Sequence, residues 1–181
     1  DHLSGVATKT RAIVDAAHSA NSACEVLTTR KSMPGVKDLL TKAVTCGGAF
    51  PHRLGASETV LVFDHHITFM GGFEAFLEAL PALRGRCVEK KLFVEAGPDE
   101  ARRLAKAGVD GIQLDKMPVD DLAALVPELR AIDPHLTLIA AGGINLQNAA
   151  AYAATGVDGL ATTAPFTAKP IDMSVRMKRA E

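Results

Sequence analysis

Ala107-Gly108-Val109-Asp110-Gly111 and Thr155-Gly156-Val157-Asp158-Gly159 are near copies of each other, and their flanks decide the fold. Each copy follows a stretch whose apolar residues recur at helical spacing. Each leads into a short apolar run, Gly111 to Leu114 in the first case and Gly159 to Thr162 in the second. Glycine suits a helix end because it adopts the left-handed conformation without a side-chain clash. Both copies therefore mark a place where a helix stops and a strand begins, and a junction used twice is a repeated strand and helix unit.

The same rhythm extends in both directions. Apolar or β-branched runs predict strands over Glu25 to Thr29, Thr59 to Phe63, Lys91 to Glu95 and Leu136 to Ala140, besides the two already quoted. Helical periodicity covers roughly Val36 to Cys46, Gly72 to Leu83, Asp99 to Ala107, Val119 to Ile132 and Asn145 to Thr155, and an amphipathic pattern runs from Leu3 to Ala17. Strands that alternate with helices of this length pair in parallel through right-handed crossovers. Runs that are apolar throughout suit strands covered on both faces.

Nearly every run ends in polar, charged or glycine residues: Thr29-Arg30-Lys31, Asp64-His65-His66, Glu95, Asp115-Lys116, Gly142-Gly143 and Thr162-Thr163. In a barrel such ends converge on one mouth, whereas an open sheet brings together only those beside its switch point. The expectation is an α/β fold, an incomplete, open α/β barrel of about six parallel strands, forming one domain over residues 1–181. The chain starts with Asp1, and a helix pattern is under way at Leu3, so the natural chain is expected to begin earlier.

Composition narrows the function classes. Lys plus Arg number 20 against 21 for Asp plus Glu, a balance that argues against a nucleic-acid partner. No apolar run approaches the roughly 18 residues that span a bilayer, so no membrane association is expected. Three cysteines, Cys24, Cys46 and Cys87, without metal-ligand spacing suit a reducing, cytoplasmic setting.

Several segments carry groups suited to chemistry. Thr29-Arg30-Lys31 places two cations between a strand and a Pro-Gly turn; an arginine there can grip a carboxylate or phosphate through two parallel hydrogen bonds. His52-Arg53 is a second cationic pair in a glycine-flanked loop. Either pair could equally be a solvated loop. On an extended segment His65 and His66 would point to opposite faces, leaving at most one for the mouth. Glu95 and Asp115 close strands expected to be neighbours and could hold Mg²⁺ through water, or simply cap helices. Ala141-Gly142-Gly143 exposes backbone N–H groups ahead of a helix, and Thr162-Thr163 could donate to the same phosphate.

Together these segments resemble the quinolinate phosphoribosyltransferase family, also called nicotinate-nucleotide diphosphorylase (carboxylating). The resemblance runs through Leu3 to Thr10, Thr29-Arg30-Lys31 with Pro34-Gly35, Gly47-Gly48, and His52-Arg53-Leu54-Gly55. It continues through Asp64 and His66, Glu95, Leu114-Asp115 and Gly142-Gly143-Ile144. It implies an open barrel preceded by an N-terminal domain absent here, a homodimer, and transfer of phosphoribose from phosphoribosyl pyrophosphate to a small heteroaromatic acid. Within that reaction Glu95 and Asp115 are expected to be catalytic and to hold Mg²⁺, Thr29, Arg30, Lys31, His52, Arg53 and Lys116 to bind substrate, and Ala141, Gly142, Gly143, Thr162 and Thr163 to bind phosphate.

The chain departs from the family pattern where Thr28 replaces Asp, Phe63 replaces Lys, Lys116 replaces Asn and Ala141 replaces Ser. Thr28 to Lys31, the run from Ser57 to Phe63, Gln113 to Lys116 and Ala140 to Ile144 resemble the ModD branch, whose name is tied to molybdenum transport. Two alternatives stay open: a regulatory phosphate-binding barrel without turnover, and a lyase forming a Schiff base at Lys116.

Overall fold

The computed structural model describes residues 1–55 and 57–179. After a first helix, α1 (His2–Ala20), strands and helices alternate: β1 (Glu25–Thr28), α2 (Lys37–Cys46), β2 (Phe50–Pro51), β3 (Val60–Val62), α3 (Asp64–Phe69) and α4 (Phe73–Arg86). Then follow β4 (Leu92–Glu95), α5 (Pro98–Ala107), β5 (Gly111–Asp115), α6 (Val119–Ile132), β6 (Thr137–Ala141), α7 (Ala149–Ala153), β7 (Gly159–Thr162) and a 3-10 turn over Ala164–Thr167.

All pairings are parallel and the strand order is β2-β1-β7-β6-β5-β4-β3. This is the circular order of a barrel cut between β2 and β3: β1 closes onto β7, while β2 and β3 end the order and share no ladder. The expected open α/β barrel is therefore present, with seven strands rather than six. The additional one, β2, is two residues long and includes Pro51, which lacks the N–H a ladder needs; it pairs only through Leu27 with Phe50 and Thr28 with Pro51.

Two apolar clusters follow from strand geometry, since successive side chains point to opposite faces. One lies between strands and helices and includes Val26, Val94, Ile112, Leu114, Leu138 and Leu160. The other fills the barrel interior with Leu61, Phe93, Ile139, Ala141 and Ala161, against which Leu27 and Phe63 pack. The glycines that end the two repeated pentapeptides face this interior. A Cβ on Gly111 would stand 2.5 Å from the Phe93 ring, and one on Gly159 would stand 3.0 Å from Leu27. Gly111→Ala should thus lower stability by about 1–3 kcal/mol through overpacking. Urea unfolding of Gly111→Ala, and of the same change combined with Phe93→Leu, checks it: the second substitution should restore part of the loss.

The aspartates of the repeats act as a pair of braces. Asp110 Oδ2 accepts a hydrogen bond from the Leu92 N–H at 2.7 Å, and Asp158 Oδ2 accepts one from the Leu138 N–H at 2.6 Å. Arg84, at the end of α4, meets Asp110 at 3.4 Å; Arg130, near the end of α6, meets Asp158 at 2.6 Å. Each brace ties a helix end to the starts of two strands, at the face opposite the mouth.

Two local expectations are corrected. Asp64-His65-His66 is the first turn of α3 rather than the end of a strand, so the histidines are not divided between sheet faces. His66 Nδ1 accepts the Phe63 N–H at 3.0 Å, which starts the helix immediately after β3. The helix expected over Asn145 to Thr155 is confined to Ala149–Ala153, because Asn145 and Asn148 form side-chain-closed turns before it: Asn148 Oδ1 accepts the Asn145 N–H at 2.8 Å, and Asn145 Oδ1 accepts the Gln147 N–H at 2.9 Å. No helix among the described residues is long and apolar enough to cross a membrane.

Candidate active site at the barrel mouth

The C-terminal ends of the strands surround one cavity of about 1280 Å³. Every site residue nominated from the sequence lines it. Thr29, Arg30 and Lys31 arrive from β1, His52 and Arg53 from β2, and Glu95 from β4. Asp115 and Lys116 come from β5; Ala141, Gly142 and Gly143 from β6; Thr162 and Thr163 from β7. Phe63, His65 and Gln113 line it too. Gln113 entered the sequence reading only as part of the ModD-like run to Lys116 and not as a site residue, since it sits inside an apolar run. His65 is the one of the two adjacent histidines that reaches the cavity, for a helical reason and not for the alternation expected.

The cationic wall lacks protein counter-charges. Among the described residues no carboxylate pairs with Arg30, Lys31 or Arg53. Burial, and next the positive charge of Arg30, lower the Arg53 pKa from its ordinary value. Cations held together without partners are a standing demand for an anion. The Arg53 guanidinium also lies 5.9 Å from the centre of the Phe63 ring, and that ring stacks on His65 at 5.5 Å with an interplanar angle of 10°.

His52 differs from the cation expected of it. Burial, and next the charge of Arg53, push its pKa below the usual 6.5, which favours the neutral imidazole. Its backbone N–H donates to the Thr28 carbonyl at 2.9 Å, while the ring Nε2 is buried without a hydrogen-bond partner, which leaves a polar atom for a ligand. A neutral buried histidine binds fewer protons than the unfolded chain does. Stability should consequently fall as pH drops through and below 6.5, with the slope continuing to the depressed folded-state pKa. His66, also shifted down by burial, His65 and Arg53, acts in the same direction. Urea unfolding between neutral pH and pH 5 should show this loss, and His52→Gln should make it smaller.

The carboxylates of the mouth come from the neighbouring strands β4 and β5. Glu95 and Gln113 are register partners on β4 and β5, joined by a 2.6 Å hydrogen bond from Gln113 Nε2 to Glu95 Oε2. Asp115 closes β5, with Lys116 Nζ 3.7 Å from its Oδ2. Lys116 is the only non-glycine residue with positive φ among the described residues, at 54°. A left-handed lysine is strained by about 1–2 kcal/mol, and asparagine tolerates the conformation better, which gives a physical reading of the family's asparagine at this place.

The glycine loop approaches β5 closely. Gly142 and Gly143 have φ of 86° and 73°. A Cβ on Gly142 would lie 2.5 Å from Lys116 Cγ and 2.7 Å from both Asp115 Oδ1 and the Lys116 nitrogen. Asn145 Nδ2 and Asn148 Nδ2 both donate to the Gly143 carbonyl, at 3.0 and 3.2 Å, and hold that carbonyl on the helix side of the loop. Thr162 is only 3% exposed. Its hydroxyl donates to the Ile144 carbonyl at 2.6 Å and accepts the Ala164 N–H at 3.0 Å. That hydroxyl is committed to joining the two loops, so the hydroxyl at this end open to a ligand is that of Thr163.

This geometry agrees with what the chain is similar to. The model of the quinolinate phosphoribosyl transferase C-terminal domain matches residues 6–176. The chain belongs to that family. ModD of Rhodobacter capsulatus, a pyrophosphorylase by name, is 45% identical over 148 residues, which are 81% of this chain and 56% of that protein. The nicotinate-nucleotide pyrophosphorylase (carboxylating) of Mycobacterium leprae is 36% identical over 164 residues, 90% of this chain and 56% of that one. Among solved structures of the family, the nicotinate-nucleotide pyrophosphorylase of Francisella tularensis superposes with a TM-score of 0.83 at 31% identity, covering 95% of this chain and 59% of that one. NadC of Streptococcus pyogenes gives 0.84 at 27% identity, covering 97% and 60%. The chain thus spans a little over half the length of the family members it matches.

Proposed function

We propose that this domain carries the site of a phosphoribosyltransferase that moves phosphoribose from phosphoribosyl pyrophosphate to a ring nitrogen of a small heteroaromatic acid and releases pyrophosphate. The observation that carries the reading is the division of one mouth into three: a cationic wall without counter-charges, two carboxylates on neighbouring strands, and a left-handed double-glycine loop. In the reaction the bond from the anomeric carbon to the pyrophosphate oxygen breaks, and pyrophosphate leaves with the electron pair. The acceptor nitrogen forms the new bond with its lone pair. Positive charge grows on the ribose meanwhile, so catalysis needs positioning and electrostatic stabilisation rather than a nucleophile.

Arg30, Lys31 and Arg53, with Thr29 and the neutral His52, bind the acceptor's carboxylate and the pyrophosphate. Glu95 and Asp115 face the ribose, where their negative charge favours the developing cation. Lys116 reaches outward over Asp115 toward the departing phosphates. Gly142, Gly143 and Thr163 take the 5′-phosphate, while Ala141 keeps the floor small and Thr162 fixes the loop.

Mg²⁺ fits the same carboxylates. Two carboxylates on neighbouring strands are a donor set that suits a metal which keeps its waters and arrives on substrate phosphates. Bound there it would neutralise charge on the leaving pyrophosphate. The unit is further read as a cytoplasmic homodimer serving either NAD biosynthesis or, as in the name ModD, a process linked to molybdenum transport. A regulatory barrel without turnover is the second reading, favoured by Phe63, which puts an aromatic ring on a wall otherwise rich in cations.

The test is a crystal soak with phosphoribosyl pyrophosphate and Mg²⁺, with pyrophosphate release measured against a panel of pyridine carboxylates. The 5′-phosphate should sit between Gly142-Gly143 and Thr163. Density elsewhere, with this loop unoccupied, would defeat the proposal; ordered substrate without release under any acceptor would favour the regulatory barrel.

A further inference from the structure

We propose that Gln113 is a positioning residue for this transfer: its amide fixes the Glu95 carboxylate in the place where that group meets the ribose. The inference rests on the phosphoribosyltransferase reading of the cavity. Gln113 is 7% exposed, inside a run whose neighbours Ile112 and Leu114 are fully buried. A buried amide is destabilising unless its polar ends are used, and a side chain chosen for packing alone would be leucine or methionine at little change in volume.

The amide of Gln113 is used by Glu95. Gln113 is the register partner of Glu95, and its Nε2 lies 2.6 Å from Glu95 Oε2. An ionised carboxylate only accepts, so the NH₂ end of the amide has to face Glu95, and the orientation of Gln113 is set by chemistry. The pairing of Val62 with Val94 places Phe63 beside Glu95 on the other side. The carboxylate therefore stands between an aromatic neighbour and an amide, above an interior filled by Leu61, Phe93 and Ile139. Gln113 is its only hydrogen-bonding side-chain partner among the described residues. Without it, Glu95 would turn about its side-chain bonds above an apolar floor. With it, Oε2 is held and Oε1 remains for substrate. A group meant to stabilise charge in a transition state has to be in place beforehand, and misplacement by about 1 Å can lower the rate on the order of 10²-fold.

The experiment is a double-mutant cycle in the longest natural chain, with Gln113→Met, Glu95→Gln and the two combined. It reads kcat and KM for phosphoribosyl pyrophosphate, calorimetric binding of that substrate with Mg²⁺, and thermal unfolding. Gln113→Met should leave unfolding and binding nearly unchanged and lower kcat on the order of 10²-fold with little change in KM. In the Glu95→Gln background it should have no further effect, because its influence runs through the carboxylate. Should Gln113→Met fail to fold, Gln113→Leu takes its place in the cycle. A kcat equal to that of the unmodified chain, or effects that add in the double variant, would overturn the role of Gln113 alone. An unmodified chain that neither binds phosphoribosyl pyrophosphate nor releases pyrophosphate would overturn the phosphoribosyltransferase reading, and the role of Gln113 with it.

Discussion

Gly142→Ala is expected to abolish binding of phosphoribosyl pyrophosphate and to lower stability as well. A left-handed φ of 86° disfavours any side chain at this position, by about 1–2 kcal/mol. The added Cβ would also stand 2.7 Å from the Lys116 nitrogen and from Asp115 Oδ1. A backbone nitrogen held by the strand ladder cannot withdraw as a flexible side chain can: the Lys116 N–H donates to the Ala141 carbonyl at 2.8 Å. The loop must therefore swing away from β5, and overpacking of this kind adds about 1–3 kcal/mol. The damage falls on two functions at once, since the same methyl displaces the phosphate loop and one carboxylate. Calorimetry with phosphoribosyl pyrophosphate and Mg²⁺, beside urea unfolding, checks the result. Gly143→Ala is the control: its Cβ would meet nothing within 4 Å, so it should bear only the conformational strain and retain part of the binding. Equal affinities for Gly142→Ala and the unmodified protein would show that the loop does not hold the phosphate.

Phe63→Lys should redirect acceptor choice. Quinolinate carries two carboxylates, and a carboxylate buried without a counter-charge is destabilised by several kcal/mol. Arg30, Lys31 and Arg53 can serve one such group and a phosphate. Phe63 meanwhile offers a ring face to which a heterocycle can stack but which neutralises nothing. The unmodified protein is therefore expected to bind quinolinate poorly and a pyridine monocarboxylate better. With a lysine at 63, a new charge-assisted hydrogen bond worth about 1.5–3 kcal/mol should tighten quinolinate by one to two orders of magnitude. The same lysine would face Arg53, whose guanidinium is now 5.9 Å from the ring centre, so the empty variant should be less stable at low salt and recover as salt screens the repulsion. Titrating quinolinate, nicotinate and neutral pyridines into both proteins measures the shift. Tight quinolinate binding by the unmodified protein, unchanged by the lysine, would remove Phe63 from acceptor choice.

The parts of the fold that were legible in the sequence are those where one physical rule acts alone. Val119–Ile132 and Gly159–Thr162 lie where periodicity and apolar runs place them. The mouth was legible because polar ends on apolar runs have one geometric meaning in a barrel. What escaped required partners distant in the chain. β2 is two residues whose pairing exists only because β1 offers its edge. The neutral state of His52 comes from burial that the local sequence does not reveal. Thr162 was read from its hydroxyl, and that hydroxyl was claimed by Ile144, 18 residues away. Gln113 looked like one polar residue in a strand until Glu95, also 18 residues away, stood beside it.

The missing ladder between β2 and β3 bears on how the mouth deforms. From β1 through β7, β6, β5 and β4 to the edge strand β3 the wall is continuously hydrogen-bonded, and the paired braces at Asp110 and Asp158 stiffen its base. Glu95, Asp115 and the glycine loop ride on that arc as one rigid piece. Arg53, in contrast, is carried by a strand of two residues, and what meets it from the far side of the gap is the Phe63 ring. A contact of that type is worth about 0.5–2 kcal/mol, far softer than a ladder. The cut barrel is therefore a spring clip, stiff along its back and compliant at its lips, and an anion bridging the lips would set its tension: amide exchange at Val60–Val62 should slow when the cavity fills, while the back of the clip scarcely changes.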